Sequence, residues 1–261
     1  MTGLEDRCDA GARIVGHAGD LALDYFARRA ELDVSAKANP QDLVSEADRA
    51  VELLIRDAIH DAVPCDGIIG EEHGCAAGDS DWNWIVDPID GTSSFLHGLR
   101  GWSVSVALRH GTRTVAGWVA DPSGGRLYRA VAGQGAWLGD SRLRVSEARL
   151  LEDGLTAVGS GHPDRMGALI AALLSRGGAF QRNGSAALSL AHVAAGHYLG
   201  FYEPRLSPWD CAAGLLLIEE AGGVSDPHPL DRPAPVLAGA PGVIAELRNL
   251  VATTELAEPV D

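Results

Sequence analysis

A stretch of alternating apolar residues in the middle of the chain most constrains its fold. In residues 102–108 the apolar positions are Trp102, Val104, Val106 and Leu108. His110-Gly111 then offers a turn, and the alternation resumes with Val115, Gly117 and Val119. Side chains two positions apart lie on the same face of a strand, so this pattern is typical of antiparallel strands joined by a tight turn. We therefore predict antiparallel sheet over residues 102–145.

Two helices and two short strands are predicted before this sheet. The first helix carries apolar side chains at helical spacing, namely Leu4, Cys8, Val15, Ala18, Ala22 and Phe26. The second begins at Ser45, which forms a capping-box pattern with Asp48, and it stops at Pro64. Apolar runs bounded by turn residues then predict strands over 67–69 and 82–86.

The pattern changes near Leu151, after which strand and helix patterns alternate. Strands are predicted over 155–158, near Phe180, over 198–202 and over 236–238, and helices over 166–174, 185–195, 212–221 and from 243. Such alternation is typical of an α/β unit. We predict an α+β subdomain over residues 1–150 and an α/β subdomain over residues 151–261, joined near residues 145–155.

The charge of the chain is acidic and unevenly distributed. There are 21 Lys and Arg against 36 Asp and Glu, which gives a net charge of −15. Residues 42–90 hold 13 acidic side chains, and the basic residues among them are Arg49 and Arg56. Such a chain lacks the positive surface that neutralises phosphates, which argues against general nucleic-acid binding. A local excess of carboxylates instead favours a cation site.

Other features of the sequence favour a cytoplasmic protein. The N-terminus carries Glu5, Asp6 and Asp9 without an apolar segment, so we expect no signal peptide. Apolar runs stay well short of the roughly 20 residues that span a bilayer, so we expect no membrane association. The 4 cysteines have neither metal-site nor disulfide spacing, which fits a reducing compartment.

Three acidic groups stand where predicted elements end or begin. Glu71 and Glu72 follow the first short strand, Asp87 and Asp90 follow the second, and Asp210 stands at the start of a helix. α/β proteins gather functional groups at such places, and Mg²⁺ prefers several carboxylate oxygens completed by water and substrate phosphate. Each residue also fits an ordinary structural role, since Asp90 could sit in a turn and Asp210 could cap a helix. Taken singly, none of them establishes a metal site.

Three longer motifs contain these acidic groups, namely GEEHG at 70–74, WIVDPIDGTSSFLHG at 84–98 and PWDCAAGLLLIEEAGG at 208–223. In this order and at these separations they resemble the inositol monophosphatase family. The resemblance covers nearly the whole chain, and the family consists of Mg²⁺-dependent, typically Li⁺-sensitive phosphatases within the fructose-bisphosphatase superfamily. It implies a layered α-β-α-β-α sandwich, two or three Mg²⁺ ions per active site and a homodimer.

The resemblance also implies roles for individual residues. The metal ligands would be the side chains of Glu71, Asp87, Asp90 and Asp210 and the backbone carbonyl of Ile89. Gly91 and Thr92 would contact the phosphate, Asp48 would pair with Thr92, and Glu72 would lie outside the metal shell. Glu203, Ser185 and Ala187 would form the substrate side of the site. The sequence departs from the family pattern DGTxNF at Ser94, where we expect altered capping or loop support rather than lost chemistry.

These roles suggest a mechanism. Hydrolysis of a phosphate monoester is extremely slow without a catalyst. Two cations about 3.5–4 Å apart can activate water and stabilise the leaving oxygen. We expect Glu71 and Thr92, with Thr92 oriented by Asp48, to position the attacking water. Asp90 and Asp210 would hold the ion that stabilises the leaving alkoxide.

The sequence leaves the substrate open. Glu203 can accept hydrogen bonds from a polyol or sugar hydroxyl, or pair with an ammonium group, which favours an inositol phosphate first and histidinol phosphate second. A nucleotide 3′,5′-bisphosphate and fructose 1,6-bisphosphate are further alternatives, with Arg182 and Arg205 as the nearby basic residues. A different class is also open, an accessory binding protein on an RNA–protein assembly. The net charge of +4 over residues 101–200, from 10 basic and 6 acidic side chains, is too weak to support it.

Overall fold

A computed structural model of the chain describes residues 3–36, 43–161 and 163–255. The helices in these ranges are α1 (Leu4–Ala27), α2 (Glu46–Ala62), α3 (Thr92–Leu96), α4 (Pro163–Ser175), α5 (Ala186–Ala194), α6 (Pro208–Glu220) and α7 (Ile244–Glu255). The strands are β1 (Val34–Ala36), β2 (Leu43–Ser45), β3 (Gly67–Gly70), β4 (Gly74–Ala76), β5 (Trp82–Asp90), β6 (Ser103–His110), β7 (Arg113–Asp121), β8 (Arg126–Val131), β9 (Gly135–Leu138), β10 (Ser141–Arg142), β11 (Leu155–Val158), β12 (Ala179–Gln181), β13 (Gly200–Leu206), β14 (Val224–Ser225) and β15 (Ala234–Gly239). Asp42, the first residue of the acidic segment, lies outside the described residues.

These elements stack in five layers. α1 and α2 cover one face of an eight-stranded sheet of order β10-β9-β8-β7-β6-β5-β3-β4, and α5 and α6 cover its other face. A five-stranded sheet of order β12-β11-β13-β15-β14 lies beyond α5 and α6, and α4 and α7 cover its far side. Buried apolar clusters join each layer to the next. The predicted α-β-α-β-α sandwich is confirmed.

The alternating apolar residues form the centre of the large sheet. β6 and β7 pair antiparallel around the turn at Gly111, whose φ of +58° suits glycine. Every second residue from Trp102 to Leu108 is fully buried in the cluster that the sheet shares with α1 and α2. The antiparallel pairing continues through β8, β9 and β10, as predicted for residues 102–145.

One strand pair of the large sheet is parallel, which the sequence did not predict. After β3 the chain turns into β4, which pairs antiparallel at the edge of the sheet. It then returns as β5, which runs parallel to β3 with Gly70 opposite Val86. The ends of β3 and β5 therefore lie side by side, so the residues that follow Gly70 and Val86 reach the same end of the sheet.

Two elements near the acidic groups are longer than predicted. β5 continues to Asp90 instead of ending at Val86, because it keeps pairing with β6 past an irregularity in register. α6 begins at Pro208 instead of Ala212, because proline suits the first position of a helix. Asp210 consequently lies inside the first turn of α6.

The C-terminal half alternates strands and helices as predicted, with a mixed sheet. β11 pairs parallel with β12 and β13, whereas β15 pairs antiparallel with β13 and β14. The subdomain division at residue 150 stays a prediction, because α5 and α6 pack against both sheets. Within the described ranges, the helices are all too short or too polar to cross a membrane.

Candidate active site

Three aspartates meet where the large sheet faces α6. Asp87 and Asp90 lie in the last part of β5, and Asp210 lies in the first turn of α6. One carboxylate oxygen of each lies within 4.8 Å of the other two. Asp87 and Asp90 are only 1% and 8% exposed. Negative charges this close and this far from water require protons or a cation to neutralise them.

An irregularity in β5 turns Asp87 and Asp90 to the same side. Residues three apart in a regular strand point to opposite faces. Here Asp87 stands opposite Ser105 and Asp90 opposite Ser103, so β5 has one residue more than its partner between these pairs. The backbone N–H of Ile89 donates to Oδ1 of Asp87 (3.1 Å) and stabilises the bend. This bulge allows the D-P-I-D spacing to present two carboxylates to one site.

Hydrogen bonds fix Asp90 and Asp210. Oδ2 of Asp90 accepts from the hydroxyl of Ser185 and from the backbone N–H of Ala187, both at 2.6 Å. Oδ2 of Asp210 accepts the backbone N–H of Ser207 (2.7 Å). Asp210 therefore stabilises the start of α6 and also faces the other two aspartates, so its structural and functional roles are compatible.

Glu71 adds a fourth carboxylate to this group. Its backbone N–H donates to the carbonyl of Val86 (3.2 Å), which keeps it beside β5. The pKa of Asp87 is raised well above its usual value, first by burial and second by the negative charge of Glu71. A hydrogen bond also joins the side chains of Glu71 and Asp87. The parallel pairing of β3 and β5 thus brings together two residues that the sequence placed after separate strands.

The electrostatics of the group favour a bound cation. Burial is the largest cause that raises the pKa values of Asp87, Asp90 and Asp210, and repulsion between neighbouring carboxylates adds to it. The pKa of Asp90 rises to about 6, although the hydrogen bonds from Ser185 and Ala187 oppose the shift. A divalent cation would counteract these shifts, because it stabilises the ionised carboxylates.

Thr92 and Asp48 lie together beside the aspartates. The hydroxyl oxygen of Thr92 is 3.0 Å from Oδ1 of Asp48 and 3.1 Å from the carbonyl oxygen of Ile89. Asp48 is 1% exposed, and its Oδ2 accepts from the backbone N–H and the hydroxyl of Ser45 (2.8 and 2.6 Å). One oxygen of Asp48 therefore completes the capping box of α2 while the other orients Thr92.

The backbone around Gly91 is tightly packed. Gly91 has a φ of +92°, and a Cβ at this position would overlap the carbonyl oxygen of Gly101. The hydroxyl of Ser94 donates to the carbonyl of Asn183 (3.4 Å), which links α3 to the loop before α5. The expectation that serine in place of the usual asparagine alters capping or loop support without abolishing the chemistry stays a prediction. The phosphate contacts of Gly91 and Thr92 stay a prediction.

A cavity of about 180 Å³ opens beside Asp90, and Glu203, Ser160 and Arg182 contribute to its lining. Glu203 is 8% exposed, and its Oε1 accepts from the backbone N–H and the hydroxyl of Ser160 (3.0 and 2.8 Å). Ser185 also lines the cavity. Ala187 is fully buried and reaches the site through its N–H. The cavity thus presents a fixed carboxylate and a guanidinium next to the aspartates.

Sequence reasoning missed three polar residues that support the site. Ser160 fixes Glu203, and Ser103 lies 2.9 Å from Ser185, hydroxyl to hydroxyl. No pattern in the sequence marks either serine. Glu52 is buried beneath the turn that carries Glu71, and for this residue a signal exists. It is an acidic residue one helical turn after Asp48, on the buried face of α2 where the other side chains are apolar apart from Asp48.

The donor atoms of this site fit a hard divalent cation. Carboxylate oxygens are available from Asp87, Asp90, Asp210 and Glu71. The backbone carbonyl of Ile89, which accepts from the Thr92 hydroxyl, is a further oxygen donor beside them. Oxygen donors of this kind suit Mg²⁺, whereas thiolate and imidazole donors favour zinc. Carboxylates whose pKa values are raised by burial and by mutual repulsion are the electrostatic complement of such an ion.

Known proteins are similar to this chain in sequence and structure. A model of the inositol monophosphatase family matches residues 5–258. The chain is 44% identical to the inositol-1-monophosphatase of Rhizobium meliloti (strain 1021) over 78% of this chain and 79% of the relative. It is 39% identical to the Nus factor SuhB of Escherichia coli (strain K12) over 91% of this chain and 93% of the relative. The solved structure of Thermotoga maritima IMPase has a TM-score of 0.89 and 32% identity, and the match covers 96% of this chain and 98% of that one.

Proposed function

The chain belongs to the inositol monophosphatase family, and we propose that it is a Mg²⁺-dependent phosphatase acting on a small phosphate monoester. The observation that most supports this proposal is the meeting of Asp87, Asp90 and Asp210 beside the Thr92–Asp48 pair. Without cations, these carboxylates would repel a phosphate dianion. With cations bound, the same group attracts it.

The proposed Mg²⁺ ligands are the carboxylates of Glu71, Asp87, Asp90 and Asp210 and the carbonyl of Ile89. When bound, two or three Mg²⁺ ions supply Lewis-acid stabilisation of the charge that develops on the attacking and leaving oxygens. Because the family is typically Li⁺-sensitive, we expect Li⁺ to inhibit the reaction. We also expect a cytoplasmic homodimer.

Thr92 and Asp48 are proposed to orient the attacking water. When the Thr92 hydroxyl donates a hydrogen bond to Asp48, its oxygen lone pairs are free to accept a hydrogen bond from the water. Asp48 is held by Ser45, so Thr92 is fixed before substrate arrives. Glu71 is proposed to help position the same water. Such pre-organisation reduces the entropic cost of reaching the transition state.

The Thr92 hydroxyl can be tested by substitution with a side chain of the same shape. We expect Thr92→Val to lower kcat about 100-fold, the lower end of what a positioned proton-handling group contributes. Its affinity for Mg²⁺ should stay near that of the parent, because the carboxylates are unchanged. Steady-state phosphate release measures kcat, and calorimetric titration measures the affinity for Mg²⁺. Thr92→Ser, which restores a hydroxyl, should recover most of the rate, and a Thr92→Val variant with full kcat would refute the role.

For the substrate, we propose a phosphorylated polyol, with inositol monophosphate first. Glu203 supports this choice, because Ser160 holds its carboxylate at the cavity beside Asp90. A fixed carboxylate suits a ligand with hydroxyl donors. Phosphate release with Mg²⁺ from inositol 1-phosphate, histidinol phosphate, a nucleotide 3′,5′-bisphosphate and fructose 1,6-bisphosphate would rank the alternatives. We expect the highest kcat/KM for inositol 1-phosphate.

A change at Glu203 separates recognition of the alcohol from the phosphate chemistry. We expect Glu203→Ala to lower kcat/KM for inositol 1-phosphate about 10- to 100-fold, since a hydrogen bond to a charged group contributes about 1.5–3 kcal/mol. Phenyl phosphate, whose leaving group carries no hydroxyl beyond the ester oxygen, should be hydrolysed at nearly the parent rate. Equal losses on both substrates would mean that Glu203 does not recognise the alcohol.

A second candidate function is a binding role on an RNA–protein assembly. It is favoured by the 39% identity to a relative named Nus factor SuhB. Phosphate release in the presence and absence of Li⁺ discriminates the two functions. A protein inert on all four phosphate esters that bound such an assembly tightly would support the binding role.

A further inference from the structure

A buried carboxylate lies outside the three-aspartate group, beneath the turn that carries Glu71. Glu52 is 0% exposed and follows Asp48 by one turn of α2. Its neighbours on this helix face include the buried Val51 and Ile55. A glutamate is seldom fully buried unless specific partners compensate for the loss of water.

The partners of Glu52 are the two backbone N–H groups directly after Glu71. Oε2 accepts from Glu72 (2.7 Å) and Oε1 accepts from His73 (3.1 Å). The N–H of Glu71 itself donates to the carbonyl of Val86 (3.2 Å). The backbone is therefore anchored on one side of Glu71 to β5 and on the other side to α2.

Arg56 balances the charge of Glu52 and reaches the end of the same turn. Its Nε lies 2.7 Å from Oε1 of Glu52, and its Nη2 donates to the carbonyl of Gly74. Gly70, just before Glu71, leaves room for this arrangement, because a Cβ there would overlap the Glu52 carboxylate. The whole turn from Gly70 to Gly74 is thus held against one face of α2.

We propose that Glu52 is a positioning residue that holds Glu71 in the geometry required for metal binding. The inference rests on the function proposed above, in which Glu71 is a Mg²⁺ ligand. α2 then supports the site at two successive turns, with Asp48 orienting Thr92 and Glu52 orienting Glu71. Residues that orient a metal ligand through hydrogen bonds typically change metal affinity about 10- to 100-fold when they are replaced.

Glu52→Gln is the most informative variant. It keeps the shape of the side chain but replaces one acceptor oxygen with an NH₂ group, which cannot accept the N–H that faces it. We expect its Kd for Mg²⁺, measured by calorimetry, to rise about tenfold. The Mg²⁺ concentration for half-maximal phosphate release should rise by the same factor, and kcat at saturating Mg²⁺ should largely recover.

Asp66→Asn is the matched control for general loss of stability. Asp66 is also a buried acid paired with an arginine, since its Oδ1 lies 2.6 Å from Nη2 of Arg7. It precedes β3, at the opposite end of that strand from Glu71. We expect Asp66→Asn to lower the Tm without changing the Kd for Mg²⁺. If the role of Glu52 is merely structural, Glu52→Gln should likewise have a lower Tm and an unchanged Kd for Mg²⁺.

The outcomes separate this inference from the proposed function. A Kd for Mg²⁺ within twofold of the parent in folded Glu52→Gln overturns the positioning role. If that variant does not fold, Glu52→Asp keeps the charge but draws it away from the two N–H groups, and an unchanged Kd there overturns the role equally. If Glu52→Gln binds Mg²⁺ more weakly than the parent, but the parent releases phosphate from none of the esters, the phosphatase function alone is refuted. A parent that binds no Mg²⁺ overturns both.

Discussion

Replacement of Asp90 by asparagine should reduce Mg²⁺-dependent phosphate release at least about 1000-fold, a loss of about 4 kcal/mol of transition-state stabilisation. The neutral amide would lack the charge that this position contributes to cation binding, and the two-metal stabilisation depends on that charge. The fold should survive, because the amide oxygen can still accept from Ser185 and Ala187, which bond to Asp90 at 2.6 Å. Phosphate release at saturating Mg²⁺ and the melting curve measure the two parts of this expectation.

Two comparisons make the Asp90→Asn result specific. Asp66→Asn makes the same chemical change at a buried aspartate away from the site and should retain phosphate release at temperatures where it is folded. Asp90→Asn also removes a buried carboxyl group whose pKa is raised to about 6, and with it one source of repulsion among the carboxylates. The metal-free variant should therefore be no less stable to unfolding than the metal-free parent. A fully active Asp90→Asn enzyme would exclude Asp90 as a metal ligand.

Mg²⁺ should stabilise the protein, and more strongly at pH 8 than at pH 5. The folded-state pKa values of Asp87, Asp90 and Asp210 lie above the ordinary value of 3.8, and that of Asp90 is about 6. Between about pH 4 and their folded-state pKa values, these three carboxyl groups therefore bind more protons in the folded metal-free protein than in the unfolded chain, so they cost stability as the pH rises through that window. Mg²⁺ competes with fewer protons for these carboxylates at pH 8 than at pH 5, so it binds more tightly at pH 8.

The size of this effect follows from mass action. At a Mg²⁺ concentration of 100 times Kd, binding contributes about 2.7 kcal/mol. In a protein of this length that corresponds to a rise in Tm of roughly 5–10 °C. Melting curves with and without Mg²⁺ at pH 5 and pH 8 measure the difference, with NaCl of equal ionic strength as the control. A Tm that Mg²⁺ leaves unchanged at pH 8 would contradict a functional carboxylate cluster.

Most of the fold could be predicted because its signals are local. The alternation from Trp102 to Leu108 predicts a strand, which the structure buries on both faces, and the Ser45–Asp48 capping box marks the start of α2. The parallel direction of β3 and β5 could not be predicted, because it depends on the short edge strand β4. That strand is three residues long and each of them is exposed, so it carries little apolar signal.

The candidate site shows the same division between local and long-range information. The acidic clusters and the family motifs identified Asp87, Asp90 and Asp210, and the structure brings these three together. The bulge that turns Asp87 and Asp90 to one side arises from their register against β6, which sequence spacing does not reveal. Ser160 and Glu52 were missed because each acts on a residue distant in the chain.

The excess negative charge of the chain acquires a more specific meaning from the structure. The acidic segment from residue 42 to 90 includes Asp48, Glu71, Asp87 and Asp90, all of which lie at or beside the candidate site. Other members, such as Asp57, lie on the exposed face of α2. Part of the net charge of −15 is therefore expected to be neutralised by bound cations in the working protein.

Anomalous diffraction from crystals grown with Mn²⁺, a stand-in for Mg²⁺, would test the central claim most directly. If the carboxylate group is the metal centre, anomalous peaks should appear among Asp87, Asp90 and Asp210, with further density beside Glu71. Crystals of Asp90→Asn should lose or weaken these peaks while the protein structure is retained. If crystals of the parent showed Mn²⁺ peaks at other surface sites but none among these three aspartates, the carboxylate group would not be the metal centre.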